Sequence, residues 1–348
     1  MAKQVKYAVL ACGAIAQRRH LPEAAANPRA KIVAVMDPLE HRVHEVAAKY
    51  DCAAYTDYKK LLREVDCDAV VVCGPNKFHA PQAIDAFKTG KHVLVEKPMA
   101  TTRAAAKKMI EASKKARKHL MIGLNQRLMP PHVKAREILD SGKLGKILSF
   151  RTAFAHGGPD GWSLDGAKSW FFDPDLAVMG ATGDLGVHKA DLMRYLLNDE
   201  FTEVGGIIET RDKKDSRGKL IGLDDNAFLT LRTKKGAVGY IVASWTNYGR
   251  SEGNYTAIYG ENGVMELAMD PQFGVVVKYR NGNVEKHAVG KVASNENQTG
   301  SGIIDTFTDC ILKNRKPTID GTEGYRCLNV ILTAMDASKR GSVLKLKD

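Results

Sequence analysis

The sequence predicts an α/β protein in two parts: a parallel sheet wrapped by helices over residues 1–124, and an α+β unit with a broad, mostly antiparallel sheet over residues 125–348. Three observations carry this prediction. Apolar β-type runs at 5–10, 31–36, 68–73, 92–95 and 120–124 alternate with helical patterns near 15–26, 39–49, 57–64, 78–89 and 101–118, and such alternation is what right-handed crossovers between parallel strands require. After residue 125 the rhythm changes to β-runs separated by hairpin turn signals. A chain of 348 residues is also too long for one ordinary core and fits two.

In the first part, Val5–Leu10 leads into Ala11-Cys12-Gly13-Ala14-Ile15-Ala16 and then a helical stretch to Ala26. This reads as strand, tight turn and helix. Small residues in such a turn let the backbone approach a pyrophosphate, whose charge sits on free N–H groups at the positive end of the helix dipole. Only Gly13 is a glycine; Ala11 and Ala16 stand where glycines are often found. The next run, Lys31–Met36, ends at Asp37, about twenty residues on, where a carboxylate takes both ribose hydroxyls of an adenosine. Together these features predict a Rossmann dinucleotide-binding domain. Asp37 repels a 2′-phosphate and favours NAD, while His41 and Arg42 lie near enough to keep NADP possible. The competing reading of Asp37 is an ordinary polar residue before the turn proline Pro38.

The run Ala69–Cys73 is continuously apolar, as for a strand covered on both faces. Ligands of such sheets bind at the carboxyl ends of the strands, and Gly13, Asp37, Gly74-Pro75-Asn76 and Glu96-Lys97-Pro98 all fall there.

In the second part a helix at 131–140 closes at Gly142, a strand follows at 146–155, and a long Gly-, Trp- and Asp-rich stretch runs to about 182. Loops of that length are usually functional. A helix near 183–197 precedes β-runs at 201–210, 226–233, 237–246, 254–260, 263–268 and 274–289, punctuated by Lys235-Gly236, Asn262-Gly263 and Asn281-Gly282. Helices near 302–314 and 323–339 close the chain. The sheet needs a cover on its free face, and a second subunit is one candidate for it.

The net charge of +12 is spread along the chain, and the cluster at 107–118 interleaves with Met109, Ile110 and Ala112 on a helical pattern. That is a solvated helix face rather than a nucleic-acid surface. No run has transmembrane length and no leader is evident, so a cytoplasmic protein is expected. The six cysteines, at 12, 52, 67, 73, 310 and 327, show no metal spacing, so neither disulfides nor a bound metal is expected.

Lys97 follows the strand His92–Glu96, and Pro98 biases it toward an extended backbone that projects the side chain past the sheet edge. An ammonium there polarises a reacting hydroxyl or relays its proton. Asp184 and His188, four residues apart, share one helix face; the imidazole accepts an alcohol's proton near neutral pH and the carboxylate orients or stabilises it. His79 is read either as a cofactor contact or as a polar residue in a first helical turn. His156, Trp162, Lys168 and Trp170 lie in the long loop and suit a polyhydroxylated ligand, with Trp170 equally readable as a core anchor. The carboxylates show no glycosidase spacing, and no nucleophile elbow is present.

Ala11–Ala16, Asp37, Pro75–His79, Glu96-Lys97-Pro98, Gly123-Leu124-Asn125-Gln126-Arg127 and Gly183–His188, in this order, resemble the Gfo/Idh/MocA family of glucose–fructose oxidoreductases and inositol dehydrogenases along essentially the whole chain. The resemblance implies Lys97 as active-site lysine, His188 as acid/base and Asp184 as its partner. It implies nucleotide contacts at Gly13, Ala14, Ile15, Asp37, Pro75, Asn76, His79, Glu96 and Asn125, and a substrate site at Lys97, Arg127, His156, Trp162, Asp184 and His188. Members bind NAD or NADP, interconvert a ring hydroxyl and ketone of a sugar or cyclitol, and commonly form dimers or tetramers through the second sheet, so the resemblance implies a homodimer or homotetramer. Two departures bear on the pocket: Phe171 stands where many relatives have arginine, and Val178-Met179-Gly180 where many have three glycines. The expected activity is hydride transfer at a sugar or inositol hydroxyl. The alternatives are an NAD-dependent glycosidase working by transient oxidation and elimination, and a nucleotide sensor without turnover.

Overall fold

The computed structural model describes residues 3–249, 253–290, 292 and 300–347. The first sheet contains β1 (Val5–Leu10), followed by α1 (Leu21–Ala26), β2 (Ala30–Met36), α2 (Glu40–Tyr50), β3 (Ala53–Tyr55), α3 (Tyr58–Glu64), β4 (Ala69–Val72), α4 (Asn76–Lys88), β5 (His92–Val95), α5 (Arg103–Ala116) and β6 (Leu120–Ile122). Its strands run parallel in the order β3-β2-β1-β4-β5-β6. The order reverses direction between β1 and β4, which opens a crevice at their carboxyl ends. All four residues of β4 are buried, as the apolar run requires of a central strand. Asp57 and Thr102 cap α3 and α5 by accepting from Lys59 N and Ala105 N, which fixes where those helices begin.

Two details differ from the sequence reading. The short edge strand β3, with no buried residue, lacks the apolar run that marks the others. The expected helix at 15–26 is also divided: Ala16–His20 form a wider π turn before α1. That turn buries Arg19 and His20 and aims them at Glu96.

The second sheet is built from β7 (Ile147–Ala155), which follows α6 (Pro130–Asp140) and precedes α7 (Pro174–Ala177) and α8 (Val187–Leu197); from β8 (Phe201–Glu209), β9 (Asn226–Thr233), β10 (Val238–Ser244), β11 (Asn254–Gly260), β12 (Gly263–Leu267), β13 (Val275–Tyr279) and β14 (Val284–His287); and, after α9 (Ile303–Leu312) and α10 (Gly321–Arg340), from the short β15 (Leu344–Lys345). Its order is β14-β13-β12-β11-β7-β10-β9-β8-β15. Only β7 and β10 pair in parallel. The expected run at 274–289 is a hairpin, β13 and β14, because Gly282 turns at φ 89°, a backbone that glycine adopts without penalty.

One face of this sheet packs on α8 and α10. On the other, Ile207 and Phe228, which are cross-strand partners, are 60% and 54% exposed. The last two long helices return to the first sheet. Tyr7 and Thr308 hydroxyls lie 2.8 Å apart, Asn27 donates to Asp305 at 2.7 Å, and a Cβ on Gly324 would strike Ile122 at 2.6 Å. One apolar core therefore runs through both sheets. All six cysteines are unpaired, and no helix of the described residues is long and apolar enough to cross a membrane.

Candidate active site

A cleft opens along the carboxyl edge of the first sheet and is roofed by the irregular segment between β7 and α8.

The floor is made by strand ends. After β1, Ala11 takes φ 74°, the left-handed conformation that glycine favours. Cys12 N–H donates to one Asp37 oxygen at 2.8 Å and Leu39 N–H to the other at 3.0 Å, which locks the carboxylate beside the turn. A Cβ built on Gly13 meets nothing within 4 Å, so the space a phosphate needs is open. These residues fit an NAD. After β4, Pro75 and Asn76 line the cleft, and Asn76 also donates to Ala177 O at 2.8 Å. His79, in the first turn of α4, lines the cleft, and its Nδ1 and Nε2 each lie 2.8 Å from a carbonyl oxygen, of Pro98 and Gly74, tying two floor loops together. Ala14, Ile15 and Asn125 complete this side.

Glu96 is buried and lines the cleft floor. Burial acts to raise its pKa, but the 2.7 Å hydrogen bond from His20 Nε2 and the charges of Arg19 and Lys97 outweigh burial and hold it far below the usual carboxylate range. A Cβ on Gly123 would come within 2.9 Å of its Oε1, which explains the glycine there.

Lys97 projects across the cleft after a cis Lys97–Pro98 peptide. Its Nζ donates to Asp184 Oδ1 at 2.6 Å and to the Asp184 carbonyl at 3.0 Å. Asp184 Oδ2 accepts from Trp245 Nε1 at 3.0 Å. Burial alone would raise the Asp184 pKa, but the Lys97 and His156 charges and these hydrogen bonds keep it below the ordinary value, so it is ionised. Asp184 sits in a π turn, Thr182–Gly186, that runs into α8 and sets His188 on the same wall. Burial, reinforced by Lys97, drives the His188 pKa well below the ordinary value. Its Nδ1 is buried without a hydrogen-bond partner among the described residues. The ring is thus neutral at pH 7.

His156 has a defined tautomer. Its Nδ1 accepts from Gly158 N–H at 3.0 Å, so the ring proton resides on Nε2, which is buried, has no hydrogen-bond partner among the described residues and lies 3.9 Å from Asp184 Oδ2. Burial lowers its pKa, which makes it a neutral donor. Trp162 Nε1 is a second buried donor without a partner among the described residues, and its ring meets His156 edge-on at 6.4 Å. Trp170 stacks on Phe171 at 3.9 Å and lines the cleft while packing on the core.

This wall is held by distant side chains. Asp224 accepts from Gly180 N at 2.9 Å, Thr182 N at 2.7 Å and Thr182 Oγ1 at 3.0 Å, and a Cβ on Gly180 would lie 1.8 Å from the Asp224 carbonyl. Lys213 donates to Asp160 at 2.9 Å and to the Gly157 carbonyl.

Arg127, expected at the substrate, lies elsewhere. The 3-10 turn Asn125–Leu128 leaves Asn125 and Gln126 on the cleft but turns Arg127 toward α8 and α10. There its guanidinium forks onto Asp191 at 2.8 and 2.6 Å and reaches Glu323 at 2.7 Å. Lys168 is exposed and does not line the cleft. Trp245, Asp224 and Phe154 were not foreseen as site residues. Each comes from a sheet strand or its edge, and no spacing signal links them to Asp184.

Comparison with known proteins agrees with this geometry. Residues 5–124 match the family model for the oxidoreductase family with NAD-binding Rossmann fold, and residues 132–266 match the GFO/IDH/MocA C-terminal domain. A levoglucosan dehydrogenase of Pseudarthrobacter phenanthrenivorans is 30% identical over 260 residues, 69% of this chain and 65% of that protein, so the match spans just under two thirds of the relative. A myo-inositol 2-dehydrogenase of Thermotoga maritima is 30% identical over 217 residues, 60% of each chain. A solved levoglucosan dehydrogenase, in complex with NADH and levoglucosan, has the same fold at a TM-score of 0.88 and 21% identity, covering 99% of this chain and all of that one. The chain belongs to the Gfo/Idh/MocA oxidoreductase family, and its first domain is an NAD-binding Rossmann domain.

Proposed function

We propose that this protein is an NAD-dependent dehydrogenase that interconverts a ring secondary alcohol of a sugar or cyclitol with its ketone. The observation that carries the reading is the Lys97–Asp184 ion pair at 2.6 Å in the same cleft as a neutral His188 whose buried Nδ1 has no hydrogen-bond partner among the described residues. When bound, NAD supplies the acceptor for the hydride leaving the carbinol carbon.

The chain's own residues manage the proton and the charge. Neutral His188 accepts the hydroxyl proton as the alcohol is oxidised and returns it in the reverse direction. The Lys97 ammonium, aimed by Asp184, donates to the substrate oxygen as alkoxide charge develops. His156 Nε2–H and Trp162 Nε1–H, both buried and without a partner among the described residues, offer donors for further hydroxyls, as polyol recognition requires. The wall of Trp162, Trp170 and Phe171 excludes water and supplies apolar surface for the face of a sugar ring. A second copy covers the apolar strip around Ile207 and Phe228.

The test is reduced-nicotinamide absorbance on the purified protein with NAD and a panel of inositols, aldoses and anhydrosugars. Substrate-dependent NADH formation supports the dehydrogenase. Glycoside cleavage without net NADH would replace it with the elimination mechanism, and NAD binding with no turnover of any compound would leave a nucleotide sensor.

A further inference from the structure

One basic side chain of the cleft is not used by hydride transfer. Arg42, in the first turn of α2, lines the cleft at the end marked by Asp37, and its guanidinium is not free. Its NH2 donates to Asp165 Oδ1 at 2.6 Å. Asp165 belongs to the opposite wall, 123 residues on, in a loop whose backbone is closed by Lys168 N donating to Asp165 O at 2.9 Å and Ser169 N to Gly166 O at 3.0 Å. That loop is anchored behind by Lys213 on Asp160. The pair therefore bridges the two walls above the place where an adenosine ribose meets Asp37.

We propose that Asp165 sets cofactor choice through Arg42: it occupies the guanidinium that would otherwise clasp a ribose 2′-phosphate. An arginine after the second strand is well suited to bidentate phosphate recognition. Here that capacity is cancelled by a carboxylate delivered from the other domain. NAD, with a bare 2′-hydroxyl, leaves the pair intact. NADP has to displace Asp165 from Arg42 and then sit between two carboxylates, Asp37 and Asp165. Discrimination is thus divided between a floor residue and a roof residue. The proposal rests on the dinucleotide site and is independent of which substrate is turned over.

The test is calorimetric titration of the full-length protein with NAD and with NADP, which needs no substrate. The wild type is compared with Asp165→Asn, Asp165→Glu, Arg42→Ala and the Asp165→Asn/Arg42→Ala double variant. Asp165→Asn is expected to lower the Kd for NADP relative to that for NAD by about tenfold, a modest factor because the pair is partly exposed. Asp165→Glu should keep the wild-type ratio, and the double variant should lose the gain. Asp165→Ser serves as a second replacement if the asparagine variant does not fold. NAD binding with an unmoved NADP:NAD ratio in the folded neutral variant, or a gain that persists without Arg42, would overturn the proposal alone. Failure of the wild type to bind either nucleotide would overturn the dinucleotide reading and this proposal with it.

Discussion

The two walls of the cleft are built on opposite plans. The floor is an edge of regular structure: Ala11, Asp37, Asn76 and Lys97 follow β1, β2, β4 and β5 and inherit their places from parallel register. The roof, between β7 and α8, is a chain of short 3-10, α and π turns, and side chains from far along the chain hold it. A position set by register survives the loss of one side chain, because many backbone bonds share the task. A position set by one buried carboxylate does not. Substitutions at the roof and at the two groups that bridge to it should therefore do more damage than substitutions within the floor.

The largest effect is expected where the walls meet. His188→Ala and Lys97→Ala should each lower kcat by about 10²- to 10⁴-fold, the range for loss of a general acid or base, measured by steady-state turnover on the best substrate. Near wild-type turnover in both would defeat the proposed chemistry. The pH profile gives a finer test. Because burial depresses the His188 pKa, the native ring stays unprotonated as pH falls past 6.5 and is charged only below its lowered value. The acid limb of kcat/KM in the oxidation direction should thus lie below pH 6.5, and a limb at or above that pH would assign the base elsewhere.

Asp224→Ala isolates the roof. It removes three hydrogen bonds and leaves Gly180 N and Thr182 N buried without partners, a loss of roughly 2–4 kcal/mol that denaturant unfolding should register. Because Thr182 opens the π turn carrying Asp184, KM should rise even in the folded fraction. An equal loss from Asn76→Ala, which removes the single floor bond to Ala177 O, would erase the contrast between the walls.

The same contrast explains what could be read from the sequence. The strand-turn-helix at Ala11–Ala16, Asp37 at the next strand end, and Glu96-Lys97-Pro98 were legible because register in a parallel sheet is local and periodic. Asp184 and His188 were legible through their four-residue spacing. Arg127 was misplaced because the 3-10 turn Asn125–Leu128, with about three residues per turn, carries its side chain off the face that Asn125 and Gln126 present to the cleft, and its ionic partners, Asp191 and Glu323, lie 64 and 196 residues away. Trp245 and Asp224 were invisible for the same reason: their roles depend on contacts across the second sheet and leave no mark in local spacing. The π turns at Ala16–His20 and Thr182–Gly186 have helical sequence patterns, and only the packing of Arg19, His20 and Asp184 shows that the extra width is used.

A buried charge behind the roof sharpens the comparison at intermediate size. Lys189, next to His188, has no exposed surface, and its Nζ contacts are long, 3.4 Å to Tyr255 O and 3.5 Å to Thr256 Oγ1. Burial pulls its pKa down to about 7. Between that pH and the ordinary lysine value the unfolded chain binds a proton the native chain does not, so this residue weakens the fold at pH 7 and the penalty fades as pH rises. Lys189→Met should therefore stabilise by about 1–4 kcal/mol at pH 7 and by little near pH 10.5, read from unfolding at both pH values. A gain that does not shrink with pH would show that shape, not charge, is the cause.

The smallest effect compares one strained residue on each wall. Ala11 in the floor has φ 74° and Val178 in the roof has φ 65°, and neither is a glycine. For alanine the left-handed backbone costs about 1–2 kcal/mol, and a glycine introduced there forfeits roughly 0.5–1 kcal/mol of that through its greater freedom when unfolded. Ala11→Gly should thus gain only about 0.5–1 kcal/mol. A β-branched residue at positive φ is a stronger outlier, with strain of about 1–3 kcal/mol, so Val178→Gly should gain about 1 kcal/mol in denaturant unfolding. Val178 stands at the end of α7, whose Ala177 carbonyl accepts from Asn76, so its strained backbone lies where the roof is pinned to the floor. If releasing that strain raises stability and KM together, the valine is holding the roof in position; if stability rises and KM is unmoved, the strain has no part in the geometry of the site.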